Sequence, residues 1–332
     1  PQNTGYYKGN APKKLTELKW KFKAEHAIES SPAVVDKTVF FGSYDDYLYA
    51  VDMKTGQEKW KFKTGYMVLS SPAVANGTVL FGSFDNYLYA VDVKTGREKW
   101  KFRTDGWIKS SPAVFNGVVF FGSFDNYLYA VDIKTGQEKW KFRTDGMIFS
   151  SPSVVNGSVF TGSEDGYLYA LDKKTGKEKW KFKTEGEIFS SPAVANGKVF
   201  IGGYDNYMYA LDVKTGQKKW KFKTKDWIYS CPAIVNGMVI FGSADNYMYA
   251  LDVKTGQEKW KFKTHHSISS SPAVSDNIVF IGSSDNYLYA VDVKTGLKKW
   301  KFKTEDKIKS SPVVTGELVL FGSSDNYIYA VK

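Results

Sequence analysis

Cysteine is almost absent: Cys231 is the only one in 332 residues. That excludes an internal disulfide framework and any cysteine-rich zinc site. Long apolar runs are missing as well. The longest are four or five residues, whereas a helix crossing a bilayer needs about 20, so no such membrane-spanning helix is expected. Histidine is confined to His26, His265 and His266, too few for an extended His-rich metal tract. What the chain has in excess is positive charge, 46 Lys and Arg against 35 Asp and Glu, a net +11. Taken alone, that charge suggests a nucleic acid or an acidic surface as partner.

Self-similarity decides the architecture. Lys-Trp recurs at Trp20, Trp60, Trp100, Trp140, Trp180, Trp220, Trp260 and Trp300, always forty residues apart. Setting aside an N-terminal extension, residues 1–12, leaves residues 13–332 as eight forties with neither insertion nor deletion. Each unit reads as four short strands; in the second these span residues 68–75, 78–83, 87–92 and 98–104. Asn76-Gly77 supplies the two positive φ angles that a two-residue type I′ hairpin requires, and five of the eight units keep Asn-Gly there. The second and third strands are apolar at successive positions, so both of their faces must be covered. The fourth alternates, with Trp60 and Phe62 on one face and Lys59, Lys61 and Lys63 on the other. That pattern marks an exposed edge. Four antiparallel strands per forty residues describe a β-propeller blade. The chain ends on a third strand and starts with a fourth, so the N-terminal strand closes the last sheet. The expected fold is all-β: one eight-bladed propeller over residues 13–332, a monomer.

Between third and fourth strand, every complete unit carries Ala-x-Asp-x-x-Thr-Gly-x-x-x-Trp, from Ala50, Asp52, Thr55, Gly56 and Trp60 to Ala290, Asp292, Thr295, Gly296 and Trp300. The pattern resembles the tryptophan-docking motif of the pyrroloquinoline-quinone type propeller repeats, over residues 13–332. The resemblance implies that each Trp packs on the Thr-Gly turn of the adjoining blade and builds a girdle between blades. In the split eighth copy Ala330 is present, but Lys332 stands where Asp belongs and no Thr-Gly follows. The last junction is therefore expected to be the weakest.

The quinone enzymes of this family are similar in fold but add a calcium site, an Asp base, often adjacent cysteines, and long insertions around the chamber. No unit here departs from forty residues, and Cys231 occupies a slot that holds Ser in the other seven copies. The chain is accordingly expected to be a non-catalytic member with no cofactor and no metal. A dehydrogenase dependent on the quinone and Ca²⁺ stays as the less favoured alternative. His266, Asp306 and His26 share one slot in three successive blades, the most metal-like arrangement present. Neighbouring blades hold such positions too far apart for ligands needing about 2 Å to one ion. Glu164, Glu185 and Glu187 form an acidic group of the kind hydrolysis uses, but solvated loop acids are the commoner case. Asn76 and Asn156 open glycosylation sequons that fall inside tight hairpins, where they read as turn chemistry.

Comparing the eight copies separates two ends of the ring. The Asn-Gly and Thr-Gly turns at one end are nearly invariant; the loops at the other vary. At that variable end, blades two to six offer Tyr66, Trp107, Phe149, Phe189, Trp227 and Tyr229, with Phe84, Phe124 and Tyr204 from the neighbouring turns. Blades seven, eight and one offer His265, His266, Glu305, Asp306, Lys309, His26 and Glu29 instead. An aromatic arc thus faces a polar arc. Tyr66, Trp107, Phe124, Phe149, Phe189, Tyr204, Trp227 and Tyr229 are the candidate ligand-binding residues, for a protein, a peptide or a small molecule. Packing inside the channel is the competing reading of the same aromatics. Perfect spacing also suits a symmetric structural or designed repeat scaffold without a ligand. Non-enzymatic members of the family that the repeat resembles are extracytoplasmic scaffolds, which implies a periplasmic or extracellular location.

The charge then finds its place. Fourth strands carry 24 of the 46 basic residues and the slot before each Thr-Gly turn carries seven. Lysine spread evenly on exposed edges discourages sheet-to-sheet pairing, whereas a nucleic-acid site would gather charge beside base-stacking aromatics. No nucleic-acid partner is expected.

Overall fold

The structure is a computed structural model that describes residues 5, 7, 11–15 and 17–332. Among the described residues thirty-two strands, numbered in chain order, make eight four-stranded antiparallel sheets. The first complete sheet runs β2 (Ala33–Val35), β3 (Thr38–Gly42), β4 (Tyr47–Asp52) and β5 (Glu58–Lys63), with neighbours in sequence adjacent in space. Six further sheets repeat it. The eighth joins β30 (Val313–Thr315), β31 (Leu318–Gly322) and β32 (Tyr327–Val331) to β1 (Leu18–Lys23), so the N-terminal strand closes the ring. The expected propeller is the observed one.

The inner strand is shorter than the sequence suggested. In the second blade β6 spans only Ala73–Ala75. Pro72 has no N–H to give to a ladder, and the Val68 N–H is spent on the Ser43 carbonyl of the preceding blade, 3.0 Å away. Residues 68–72 therefore form a connection between blades.

The core is a set of seams between neighbouring sheets. Phe40, Leu48 and Ala50 of the first blade pack with Val79, Phe81 and Tyr89 of the second. Leu80, Leu88 and Ala90 of the second pack with Val119, Phe121 and Tyr129 of the third. This is why β3 and β4 are apolar on both faces, while the outer strand β5 buries only its Trp and Phe side. Close approach demands glycine at the end of each second strand. A β-carbon on Gly122 would stand 2.1 Å from Ile148 Cγ2 and 2.8 Å from the Ile148 carbonyl oxygen. Gly122→Ala should therefore cost about 1–3 kcal/mol through overpacking, read as a lowered urea midpoint at unchanged m-value.

The tryptophan girdle has a defined geometry. A register shift between Ala50 and Val51 puts one extra residue, Lys59, on the outer strand beside Trp60; such bulges increase local twist. Trp20 Nε1 donates to the Met53 carbonyl at 2.9 Å, and its ring lies so close over Gly56 that a β-carbon there would be 2.7 Å away. Gly56 also sits at φ 72°, which non-glycine residues rarely adopt. Asp52 closes the turn by accepting the N–H groups of Lys54 and Thr55, both at 3.0 Å. In the sixth blade the same bonds, led by Thr255, hold the Asp252 carboxyl down at about 2.

The seam lacking a Thr-Gly turn is filled by other residues. Trp300 Nε1 donates at 3.1 Å to the carbonyl of Pro12. The Ala11 N–H donates to Asp276 at 2.8 Å, Tyr7 N–H to the Val274 carbonyl at 2.8 Å, and Val274 N–H to the Gly5 carbonyl at 2.7 Å. Residues counted above as an extension thus add to the inner edge of β26 (Ala273–Ser275), and Tyr7 and Leu15 pack on the core of the last seam. The acceptor that the eighth copy lacks is thus supplied by a segment distant in sequence.

Candidate binding face

The variable loops lie together at one end of the strands because backbone bonds pair them. Phe84 N–H donates to the Met67 carbonyl at 3.0 Å, Phe124 to Trp107 at 2.9 Å, and Tyr204 to Glu187 at 2.9 Å. Each residue before the turn aspartate is thereby locked beside the loop entering the next blade. The aspartate adds a second tie. Asp85 accepts the Tyr89 hydroxyl at 2.7 Å and the Gly65 N–H of the incoming loop at 2.7 Å. The equivalent Asp and Tyr do the same in all eight blades. Sequence reasoning missed this role, although Asp-x-Tyr-x-Tyr recurs in every copy and is its visible signal.

On this frame the aromatic residues form one unbroken series. Trp107 stacks on Phe84 with centroids 4.9 Å apart, Phe84 meets Phe124 at 5.9 Å, and Phe124 meets Phe149 at 4.1 Å. Phe189 follows at 4.6 Å, Tyr204 at 4.3 Å, and Trp227 stacks on Tyr204 at 4.6 Å. Tyr229 lies parallel to Phe189 at 5.9 Å. The two indoles at the ends are 44% and 49% exposed, while the rings between them are half-buried. Tyr66 is 46% exposed but makes no ring contact among the described residues; of the eight candidates it alone stands outside the series. Phe84, the ring joining Trp107 to its neighbours, belongs with the candidates.

The channel mouth lies beside this arc. Lys109 reaches across three blades to donate to the Tyr229 hydroxyl at 2.9 Å, with its ammonium 5.5 Å from the Phe149 ring centre. Opposite, Lys309 pairs with Glu29 at 2.8 Å, and the Tyr44 hydroxyl donates to the same carboxylate at 2.9 Å. Lys109, Tyr229, Lys309 and Glu29, with Leu69, Ser267 and Ser284, border a hollow of about 400 Å³. Burial is the main reason the Tyr204 phenol is pushed up to about 12, with Tyr229 and Glu187 adding to it.

Below the mouth the channel narrows to a collar. Ser31 N–H donates to Ser71 Oγ at 3.0 Å, Ser71 to Ser111 at 2.9 Å, and the relay continues until Ser311 N–H returns to Ser31 at 2.9 Å. Cys231 takes a serine's place in it: its Sγ accepts the Ser191 N–H at 3.3 Å, and its own N–H donates to Ser271 at 3.0 Å. Among the described residues no three His, Cys, Asp or Glu side chains gather where one metal ion would be held. Glu185 pairs instead with Lys221. Asn76 and Asn156 sit at φ 51° and 50° inside their hairpins, as turn chemistry requires.

The family model described as outer membrane protein assembly factor BamB matches residues 67–148 and 143–332. The chain belongs to this family of pyrroloquinoline-quinone type propeller repeats. Among curated proteins none matches it in sequence. In fold it is similar to BamB from Moraxella catarrhalis at 16% identity and TM-score 0.84, covering 96% of this chain and 99% of that one. It is also similar to the computationally designed Ika8 protein at 20% identity and TM-score 0.84, covering 93% and 96%. A third likeness is to quinohemoprotein alcohol dehydrogenase from Comamonas testosteroni, at 15% identity and TM-score 0.88, covering 99% and 78%. The fold is thus shared with an assembly factor, a designed protein and an enzyme, and at such identities the likeness is one of fold alone.

Proposed function

We propose that the chain is a non-catalytic propeller scaffold that binds a protein or peptide partner, outside the cytoplasm, on its aromatic arc. The observation that carries this reading is the unbroken ring series ending in two half-exposed indoles. The middle of the series is spent on packing, and its ends offer large, rigid, amphipathic surface of the kind that anchors interfaces. The family's description as an assembly factor supports a protein partner and an extracytoplasmic setting.

Substituting Trp107→Ala together with Trp227→Ala should abolish binding in an array of short peptides while moving the melting temperature by no more than about 2 °C, since exposed side chains contribute little to folding. A large stability loss would make the two indoles packing residues. A quinone dehydrogenase is the competing reading; adding pyrroloquinoline quinone with Ca²⁺ and following dye reduction separates the two.

A further inference from the structure

Two residues that depart from every other copy of their repeat slots meet in one groove on the turn face, away from the aromatic arc. Phe115 ends β10 (Ala113–Phe115), where the other seven blades carry Val, Ala, Ser or Thr. Val118 begins β11 (Val118–Gly122) at a slot that holds Thr38, Thr78 and Ser158 in blades one, two and four and Lys198, Met238, Ile278 and Leu318 in the last four. The hydroxyls accept from Lys59, Lys99 and Lys179 at 2.8, 3.0 and 3.0 Å. Lys139 has no such hydroxyl and keeps Asp132 as its partner at 3.1 Å. Lys173 is the second departure: the other six complete turns carry Met, Val or Ile at its position. Its ammonium lies 4.2 Å from the centre of the Phe115 ring.

These groups surround a groove of about 300 Å³ between the third and fourth blades, walled also by Trp140 and Lys174. The neighbouring groove between blades four and five, about 270 Å³, has Val155 and Val213 at the same two slots. One seam has thus exchanged an aliphatic pair for an aromatic ring under an ammonium.

We propose that the groove is a binding site for a small flat anion, an aromatic ring carrying a carboxylate, sulfonate or phosphate group. The ring finds apolar walls in Phe115 and Trp140. The anionic group meets Lys173 and Lys174, with Lys139 behind them already half-neutralised by Asp132. An uncharged ring would leave the ammonium groups uncompensated, and a non-aromatic anion would forgo the walls.

Anilinonaphthalene sulfonate, a flat aromatic anion whose fluorescence rises on binding, is the probe. The titration uses the full chain carrying Trp107→Ala and Trp227→Ala, so that the arc cannot hold the dye. One saturable site is expected, weakened by added salt. Lys173→Val and Phe115→Val each install the residue of an equivalent slot, which keeps the fold, and each should weaken that site about tenfold. Thermal melts of both variants check that the ring is intact. The absence of a saturable site, or an affinity unchanged in both variants, overturns the proposal. Neither outcome bears on the arc, whose partner is tested separately.

Discussion

Raising the pH through 10 should unfold the ring in one steep step. Eight equivalent tyrosines, from Tyr49 to Tyr329, each donate a hydroxyl to an aspartate four residues earlier, at 2.6–2.8 Å. Burial, then the hydrogen bond, then the carboxylate's charge push every one of these phenols well above its usual value of 10.0. A group whose folded pKa is raised contributes stability that is complete below its unfolded pKa, about 10 for tyrosine. That stability is lost as pH climbs toward the folded value, because the unfolded chain releases protons the folded chain retains. The slope grows with the number of protons involved, and eight act together. Absorbance of the phenolate and loss of strand circular dichroism should rise at the same pH, with several protons released cooperatively. With Tyr7, Tyr44 and Tyr204 also raised, Tyr209→Phe should shallow the slope by roughly one part in eleven, at a cost of about 1 kcal/mol near neutrality for the missing hydrogen bond. Phenolate absorbance that arises from these eight among the 22 tyrosines, identified by its loss in the matching Tyr→Phe variants, while the sheet signal persists would show that the aspartate pairing does not hold the blades.

The second large effect lies at the closure. A chain beginning at Lys13 should lose about 3 kcal/mol of stability, the sum of the Tyr7 burial and the bonds to Val274, Asp276 and Trp300, less the entropy of ordering the segment. That corresponds to several degrees in melting temperature. A double-mutant cycle makes the test specific. Trp300→Phe should cost about 1 kcal/mol more in the full chain than in the shortened one, because the Pro12 carbonyl is then gone. Trp100→Phe, whose acceptor is the Ile133 carbonyl, should cost the same in both. An equal penalty for Trp300→Phe in the two chains would mean that residue 12 is not its partner.

The forty-residue period, the alternation of Lys with Trp and Phe, and the Asn-Gly and Thr-Gly turns determined the blade, the number of blades and the closing strand. They could do so because each rests on local physics: hairpin φ angles, the two-residue strand period, and one glycine under seven of the eight docking indoles. The placement of the lysines on an even outer rim was legible for the same reason. Tertiary structure decided what depends on seams. The segment around Pro12, 288 residues from Trp300, replaces the turn that the eighth copy lacks, and no local pattern announces such a substitution. Nor does spacing reveal that Phe84 completes the aromatic series, that eight small side chains form a closed hydrogen-bonded collar, or that Phe115 and Lys173 face each other. Those pairs come from different blades. They meet only because the ring sets every sheet against its neighbour, so the sequence determined the repeating unit and the geometry between units determined the sites.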